Sequence, residues 1–436
     1  MKHISIIFLL LTFCSCSSTQ SLSGYWTGTM EMNGKSVDLT IDLDSEETGF
    51  SSYDLMLLET PLSNLTIKNE AISFSVVFFD AKVVFDGKIS GNKISGKATI
   101  NGGPPNMNIA FKITKHAKKP VKPYTVESLT IQSNEVYLSA DIYKPKTNEL
   151  HPAIVLLHGS NRDNPKRNLA YYADFFVKLG FEVLIFDKRG SGNSMGNSIT
   201  TTYEDLTNDA IACLEFLAKR ESVNNHKIGL WGLSQGGMLL PYIASKTEIP
   251  SFLISVVPET DGMHEAAAFS DSLRVVLRGY SPEEGRIAAE SHRKVALMIS
   301  KGSNYKDVEN YINNNARRYS FMSLTGLYEN INIDEESFKG AYWQGRTYNF
   351  YMYWQSLNIK ALCIFGGADD LVDPVKNANR LSSINNMNIQ TVVFKNANHV
   401  LKKTFNPLTN TEFDFPRIIE GYSEYVEKWI KSEIYK

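Results

Sequence analysis

Cysteine is scarce in this chain of 436 residues: there are four, at positions 14, 16, 213 and 363. Two belong to the leading segment. Cys213 and Cys363 each fall in an apolar periodic stretch, so free core thiols are expected and a disulfide framework is excluded. An excess of one charge is missing too, because 45 Lys and Arg against 47 Asp and Glu leave a formal net charge of −2. Without a basic field to hold a phosphate backbone, nucleic acid is excluded as a partner. The short basic run Lys115–Pro123 reads as a solvated linker. Histidines number eight and form no cluster at metal-ligand spacing, so neither a metal nor another cofactor is expected. The apolar run Ile4–Phe13 is too short to cross a bilayer, which takes roughly 20 residues.

That run has instead the length of a signal-peptide core, behind the short basic start Met1-Lys2-His3. CSCSSTQS follows and resembles a bacterial lipoprotein processing site. Cys16, preceded by the small Ser15, fits the lipidated position better than Cys14, preceded by bulky Phe13. The plainer alternative is a secretory signal that happens to contain cysteines. Residues 1–16 are therefore expected to be a lipoprotein signal. The mature protein is expected in the bacterial cell envelope, held to a membrane by lipid on Cys16.

The chain is too long for one ordinary core. From 22 to about 115 it reads as β, with short runs such as VDLTIDL, AISFSVVFF, KVVFDGKI and KATI. Asn33-Gly34, Asp86-Gly87 and Gly91-Asn92 are expected as turns. Regularly spaced short strands predict a small antiparallel barrel or sandwich. The stretches SGYWTGTM and SGNKISGKATI resemble lipocalin-like modules that precede hydrolase domains in some bacterial proteins. Residues 116–123 form the linker. From 124 the pattern changes to apolar strands alternating with helices: AIVLLHG, a helix near 168–179, FEVLIFD, a helix over 203–220, then HKIGLWG running straight into a helix. That alternation predicts a mostly parallel sheet covered on both faces, with functional groups at the carboxyl ends of its strands.

The informative residues lie at those ends. Gly232-Leu233-Ser234-Gln235-Gly236 is a G-x-S-x-G between strand and helix. A serine on so tight a turn needs glycines where side chains would obstruct it. The helix beginning at Gln235 aims its free N–H groups at the place where an oxyanion would form. An activated serine needs a base, and the base needs an orienting carboxylate. His399, in KNANHVL after the strand IQTVVF, stands where the base should be, and histidine as a residue type suits proton shuttling. The carboxylate is expected after the strand CIFGG, in GGADDLVDP. Asp369 is the first choice, Asp370 the second, and Glu259 or Asp261 a more distant alternative. Asp373, directly before Pro374, reads as a helix N-cap.

Together HGS (158–160), DKRGSGNS (187–194), GLSQGG (232–237), GGADDLV (366–372) and NANH (396–399) resemble the α/β-hydrolases of the esterase and serine-aminopeptidase-like group, over residues 124–436. The resemblance implies an eight-stranded, mostly parallel sheet and a catalytic set of Ser234, Asp369 and His399. It implies an oxyanion hole from the backbone N–H groups of Gln235 and Ser160. It makes His158 a structural partner of its loop, has Asp187 and Arg189 stiffen their own turn, and makes the insertion at about 260–357 a helical lid. The aromatic-rich AYWQGRTYNFYMYWQSL within it is expected chiefly to pack the lid onto the core. A carboxylic ester is the expected small-molecule substrate. Peptide cleavage, or an envelope lipoprotein that only binds a ligand, are the alternatives.

Overall fold

The structure is a computed structural model that describes residues 22–44, 48–78, 81–101, 109–160, 165–403 and 415–435. The expected signal segment and Cys16 lie outside the described residues. Two compact units are present. Of the described residues, one unit takes those up to Glu31 with those of Asp38–Phe50 and Pro61–Lys119, and the other those of Met32–Val37, Ser51–Thr60 and from Pro120 onward.

Nine strands make the first sheet: β1 (Tyr25–Met32), β2 (Lys35–Asp42), β3 (Gly49–Ser52), β4 (Leu57–Pro61), β5 (Ser63–Lys68), β6 (Ala71–Phe78), β7 (Ala81–Ser90), β8 (Lys93–Ile100) and β9 (Ile109–His116). Their order, β4-β3-β2-β1-β9-β8-β7-β6-β5, brings the first strand beside the ninth in a nearly closed antiparallel sheet. Alternate residues point inward. Phe74 stacks on Phe85 at 4.7 Å, and Phe111 meets Phe85 edge-on.

Asn33 and Gly34 both take positive φ, +51° and +75°, the conformation of a tight hairpin turn. Asp86-Gly87 is not a turn. It lies inside β7, with Gly87 opposite Gly96 of β8. A Cβ on Gly96 would fall 2.0 Å from the Asp86 carbonyl oxygen, so this glycine pair permits a close backbone approach. Strand β9 also runs on through Lys115 and His116, two residues into the stretch read as linker.

The second sheet consists of β10 (Tyr124–Ser133), β11 (Val136–Pro145), β12 (His151–Leu157), β13 (Glu182–Phe186), β14 (Val223–Leu233), β15 (Phe252–Val256), β16 (Lys360–Gly366) and β17 (Ile389–Phe394). Their spatial order is β10-β11-β13-β12-β14-β15-β16-β17. Only β11 runs antiparallel to its neighbours; the remaining pairs are parallel. This is the α/β-hydrolase fold.

Every residue of β12, β13 and β15 is buried, as a sheet covered on both faces requires. Val155 and Leu157 pack with Leu214, Leu239 and Ile243 from the helices Tyr203–Ala218 and Gln235–Ala244. Ile154 and Leu156 face the other way, towards Phe176, Val426 and Trp429 of Ala170–Lys178 and Tyr422–Glu433. Between β15 and β16 stand the three long helices of the insertion, Met263–Leu277, Pro282–Ser300 and Tyr305–Arg318. Capping boxes at Ser281 and Asn304 start the second and third.

Of the aromatic-rich stretch, Trp343 packs inside the insertion while Phe350 and Trp354 join the core of the sheet.

Candidate active site

Strand β14 ends at Leu233 and the next helix begins at Gln235, which leaves Ser234 alone to turn the chain. It does so at φ +55°, ψ −118°, a conformation that costs an L-residue on the order of 1–3 kcal/mol. The surroundings hold it there. The Ser234 N–H donates to Val256 O across to β15, at 2.8 Å, and the Ser234 carbonyl accepts from Met238 N. A Cβ on Gly232 would fall 2.4 Å from the Gly236 carbonyl carbon, and one on Gly236 would fall 2.3 Å from Leu157 O. Both glycines are therefore required by backbone against backbone.

His399 Nε2 lies 2.9 Å from Ser234 Oγ, and His399 Nδ1 lies 2.8 Å from Asp369 Oδ2. Three residues from the ends of β14, β16 and β17 thus form one hydrogen-bonded line. The second carboxylate oxygen of Asp369 accepts from the Leu371 and Val372 amides, which fixes the buried side chain towards the histidine. Asn398 Oδ1 ties the histidine loop by accepting from Val400 N and Lys402 N. Two glycines let the loops approach. A Cβ on Gly366 would fall 2.4 Å from Asn398 O, and one on Gly367 2.7 Å from Lys395 O.

The other carboxylates have separate tasks. Asp370 is exposed. Asp373 accepts from Val375 N and Lys376 N and caps the helix Pro374–Ser383. Asp261 binds Arg380 at 2.6 Å and Lys376 at 3.1 Å. Buried Glu259 accepts from Asn377 Nδ2, and burial raises its pKa. Asp261, Lys376 and Arg380 line, with Glu265, a polar groove of about 340 Å³. Glu265 is held down to about 2 by Arg293 and Lys376, against the opposing effect of its burial.

The Gln235 amide occupies the first helical position, where an N–H has no intrahelical partner. The loop after β12 runs alongside Ser234: a Cβ on Gly159 would lie 3.5 Å from Ser234 Cβ, and Ser160 follows it, exposed. His158 is buried, with Nδ1 2.8 Å from Gly159 O and Nε2 accepting from Lys188 N. Its Nδ1 therefore carries the proton. Burial, then the nearby Lys188 charge, push its pKa well below the ordinary value, so it is neutral.

Some participants escape a reading of the sequence. Asp187 stiffens its own turn by accepting from Asn193 N, and also accepts from Lys166 N of the earlier segment Pro165–Asn168. Arg189 reaches further and pairs with Asp205 and Asp209 of the helix Tyr203–Ala218. Lys188 carried no signal beyond its place between them. Its side chain is buried beside the elbow, and Nζ donates to Gly159 O at 3.0 Å and to Gln235 Oε1 at 2.9 Å. No carboxylate among the described residues lies within ion-pair distance of it. In the insertion, His292 lies 2.6 Å from Asp271 and 3.0 Å from the fully buried Arg346.

The signature of the X-Pro dipeptidyl-peptidase (S15 family) matches residues 134–401. Over 190 residues the chain is 29% identical to the quorum-quenching protein AidA of Acinetobacter baumannii, covering 42% of this chain and 60% of that one. The chain spans 60% or less of the length of the curated relatives it matches. An esterase of Pyrococcus furiosus superposes with a TM-score of 0.46 at 19% identity, over 71% of this chain and 92% of that one. A proline iminopeptidase-related protein of Thermus thermophilus gives 0.46 at 17%, over 71% and 99%.

Burial pulls the Lys188 ammonium down to about 7, from an ordinary value of 10.5. Between those values the unfolded chain binds more protons at this site than the folded one, so stability rises with pH across the window. Below it both states are charged, and the cost of the buried cation is fully present. Urea unfolding at several pH values is expected to show the wild type gaining on Lys188→Met from about pH 7 to about pH 10. A difference that does not move with pH would contradict this titration.

Proposed function

The chain belongs to the X-Pro dipeptidyl-peptidase (S15) family, and on that premise we propose that it is a serine hydrolase that cleaves carboxylic esters through an acyl-enzyme. One observation carries the reading: the unbroken line from Ser234 Oγ through His399 to Asp369, with contacts of 2.9 and 2.8 Å.

In this reading Ser234 Oγ attacks the ester carbonyl carbon while His399 Nε2 takes its proton. Asp369 holds the ring by its Nδ1–H and stabilises the imidazolium that forms. The carbonyl oxygen becomes an oxyanion, and the amides of Gln235 and Ser160 hold it. As the tetrahedral adduct collapses, the alkoxide leaves with the proton from His399. A water then repeats the sequence on the acyl-enzyme and releases the acid. Nothing in these steps calls for a metal or another cofactor.

The family match favours a second reading, in which the same machinery cleaves peptides. An amine is a poorer leaving group than an alkoxide and demands protonation by His399 before it departs. The two readings separate on kcat/KM for nitrophenyl esters of increasing chain length against aminoacyl and peptidyl anilides. Activity confined to esters is expected; preferred anilide cleavage would move the protein to the peptidases.

Ser234→Ala is expected to lower kcat by roughly 10³-fold or more, and Asp369→Asn by a comparable factor, since the ring would lose its tautomer and orientation. Asp370→Asn should stay within about twofold, as an exposed side chain away from the line. Equal losses from the two aspartates would defeat the assignment of the acid.

We place the mature protein in the bacterial envelope, anchored by lipid on Cys16, because a short apolar run and a small residue precede that cysteine. A Cys16→Ala chain should leave the membrane fraction and incorporate no labelled fatty acid. Continued lipidation would refute the anchor.

A further inference from the structure

We propose that Lys188 is a positioning residue for the oxyanion hole, binding with its one Nζ the two segments that supply its amides. The role takes Ser234 as the nucleophile, as proposed above, and adds a residue to that site.

The Gly159 carbonyl oxygen is held from two sides. Lys188 Nζ donates to it at 3.0 Å, and His158 Nδ1 donates at 2.8 Å. Both donors are themselves fixed, because the Lys188 backbone N–H donates in turn to His158 Nε2 at 3.1 Å. The Gly159 carbonyl and the Ser160 N–H belong to one planar peptide unit and point in opposite directions. Clamping the oxygen therefore sets the direction of the Ser160 amide, on a loop that passes 3.5 Å from Ser234 Cβ when measured from a Cβ on Gly159.

The same Nζ donates to Gln235 Oε1 at 2.9 Å. Gln235 is the first residue of the helix after the nucleophile, and its backbone amide is the other oxyanion donor. Lys188 thus links the β12 loop to the nucleophile helix by short hydrogen bonds.

Two features set this lysine apart from an ordinary buried cation. It has no carboxylate partner among the described residues, whereas its neighbour Arg189 has two. A buried ammonium held only by carbonyl dipoles is costly, and a fold keeps one where its geometry serves something else. Its position in the chain, two residues after β13, also lets it reach across β12 to β14. Those strands lie side by side in the order β13-β12-β14.

The test uses the mature chain and whichever nitrophenyl ester or anilide the wild type turns over. An oxyanion donor removed outright costs roughly 10²–10³-fold in kcat, so Lys188→Met, which keeps the volume and loses both donations, is expected to lower kcat on the order of 10²-fold. KM should stay within about threefold, because the interaction is made in the transition state rather than with the bound substrate. Gln235→Met, which removes one acceptor and leaves the backbone amide, should lower kcat by about tenfold with KM held. A boronic acid inhibitor, which presents a tetrahedral anion, should lose affinity in parallel with kcat.

The role is overturned if both variants keep kcat within about twofold of wild type while Ser234→Ala is inactive; the serine reading then stands without it. It is also overturned if KM rises while kcat holds, or if the whole loss is accounted for by less folded protein. Should Lys188→Met fail to fold, Gln235→Met decides by the same criteria. Full activity in Ser234→Ala, or a wild type inactive on every ester and anilide, would remove the serine reading and this role with it.

Discussion

The site depends on one backbone constraint, the left-handed turn at Ser234. A serine at φ +55° exists here because β14 must hand the chain to a helix within a single residue. The turn lifts Oγ clear of the sheet and leaves the first helical amide without a partner. Everything nearby accommodates it. Gly232 and Gly236 lack side chains because carbonyl groups occupy the space, and β15 supplies the carbonyl that anchors the Ser234 amide. The strain is stored at the residue whose Oγ meets His399.

Much of this was legible in the sequence because the relevant signals are local. G-x-S-x-G, the glycine doublet before Asp369 and the continuous apolar runs are each short patterns with short-range physical causes. Asp373 as a cap could be read from its place before a proline. The failures have equally physical origins. Asp86-Gly87 has the composition of a hairpin turn, yet its glycine serves a close approach to Gly96 on the next strand, a fact carried by pairing and invisible along the chain. Lys188 and Arg346 were missed because a buried cation has no sequence signature; its burial is decided by which strands become neighbours. Arg189 was read as a local stiffener, while its partners Asp205 and Asp209 sit on the following helix.

The polar interior of the insertion resembles the site in its economy of partners. Asp271, His292 and Arg346 form a buried chain in which the imidazole stands between the carboxylate and the guanidinium. Burial lowers the histidine to about 4, so it is neutral and the two charges offset one another through it. Asp271 also accepts from the Gly326 amide, which joins the first long helix to the short segments that follow. Here too a few hydrogen-bonded polar groups fix an arrangement that apolar packing alone would leave less defined.

The insertion has a consequence for how the protein comes into being. Strand β15 ends at Val256 and its parallel partner β16 begins at Lys360, so their pairing closes a loop of roughly a hundred residues, slow to find though only logarithmically costly once formed. Until then the edge of β15 is bare, open to another chain. Asp369 and His399 both arrive beyond that closure. The turn at Ser234 draws on β12, β14, β15 and the helix after it, all of which precede that closure in the chain. In the reading proposed above, a chain ending short of β16 would carry Ser234 without the Asp369 and His399 that line up with it.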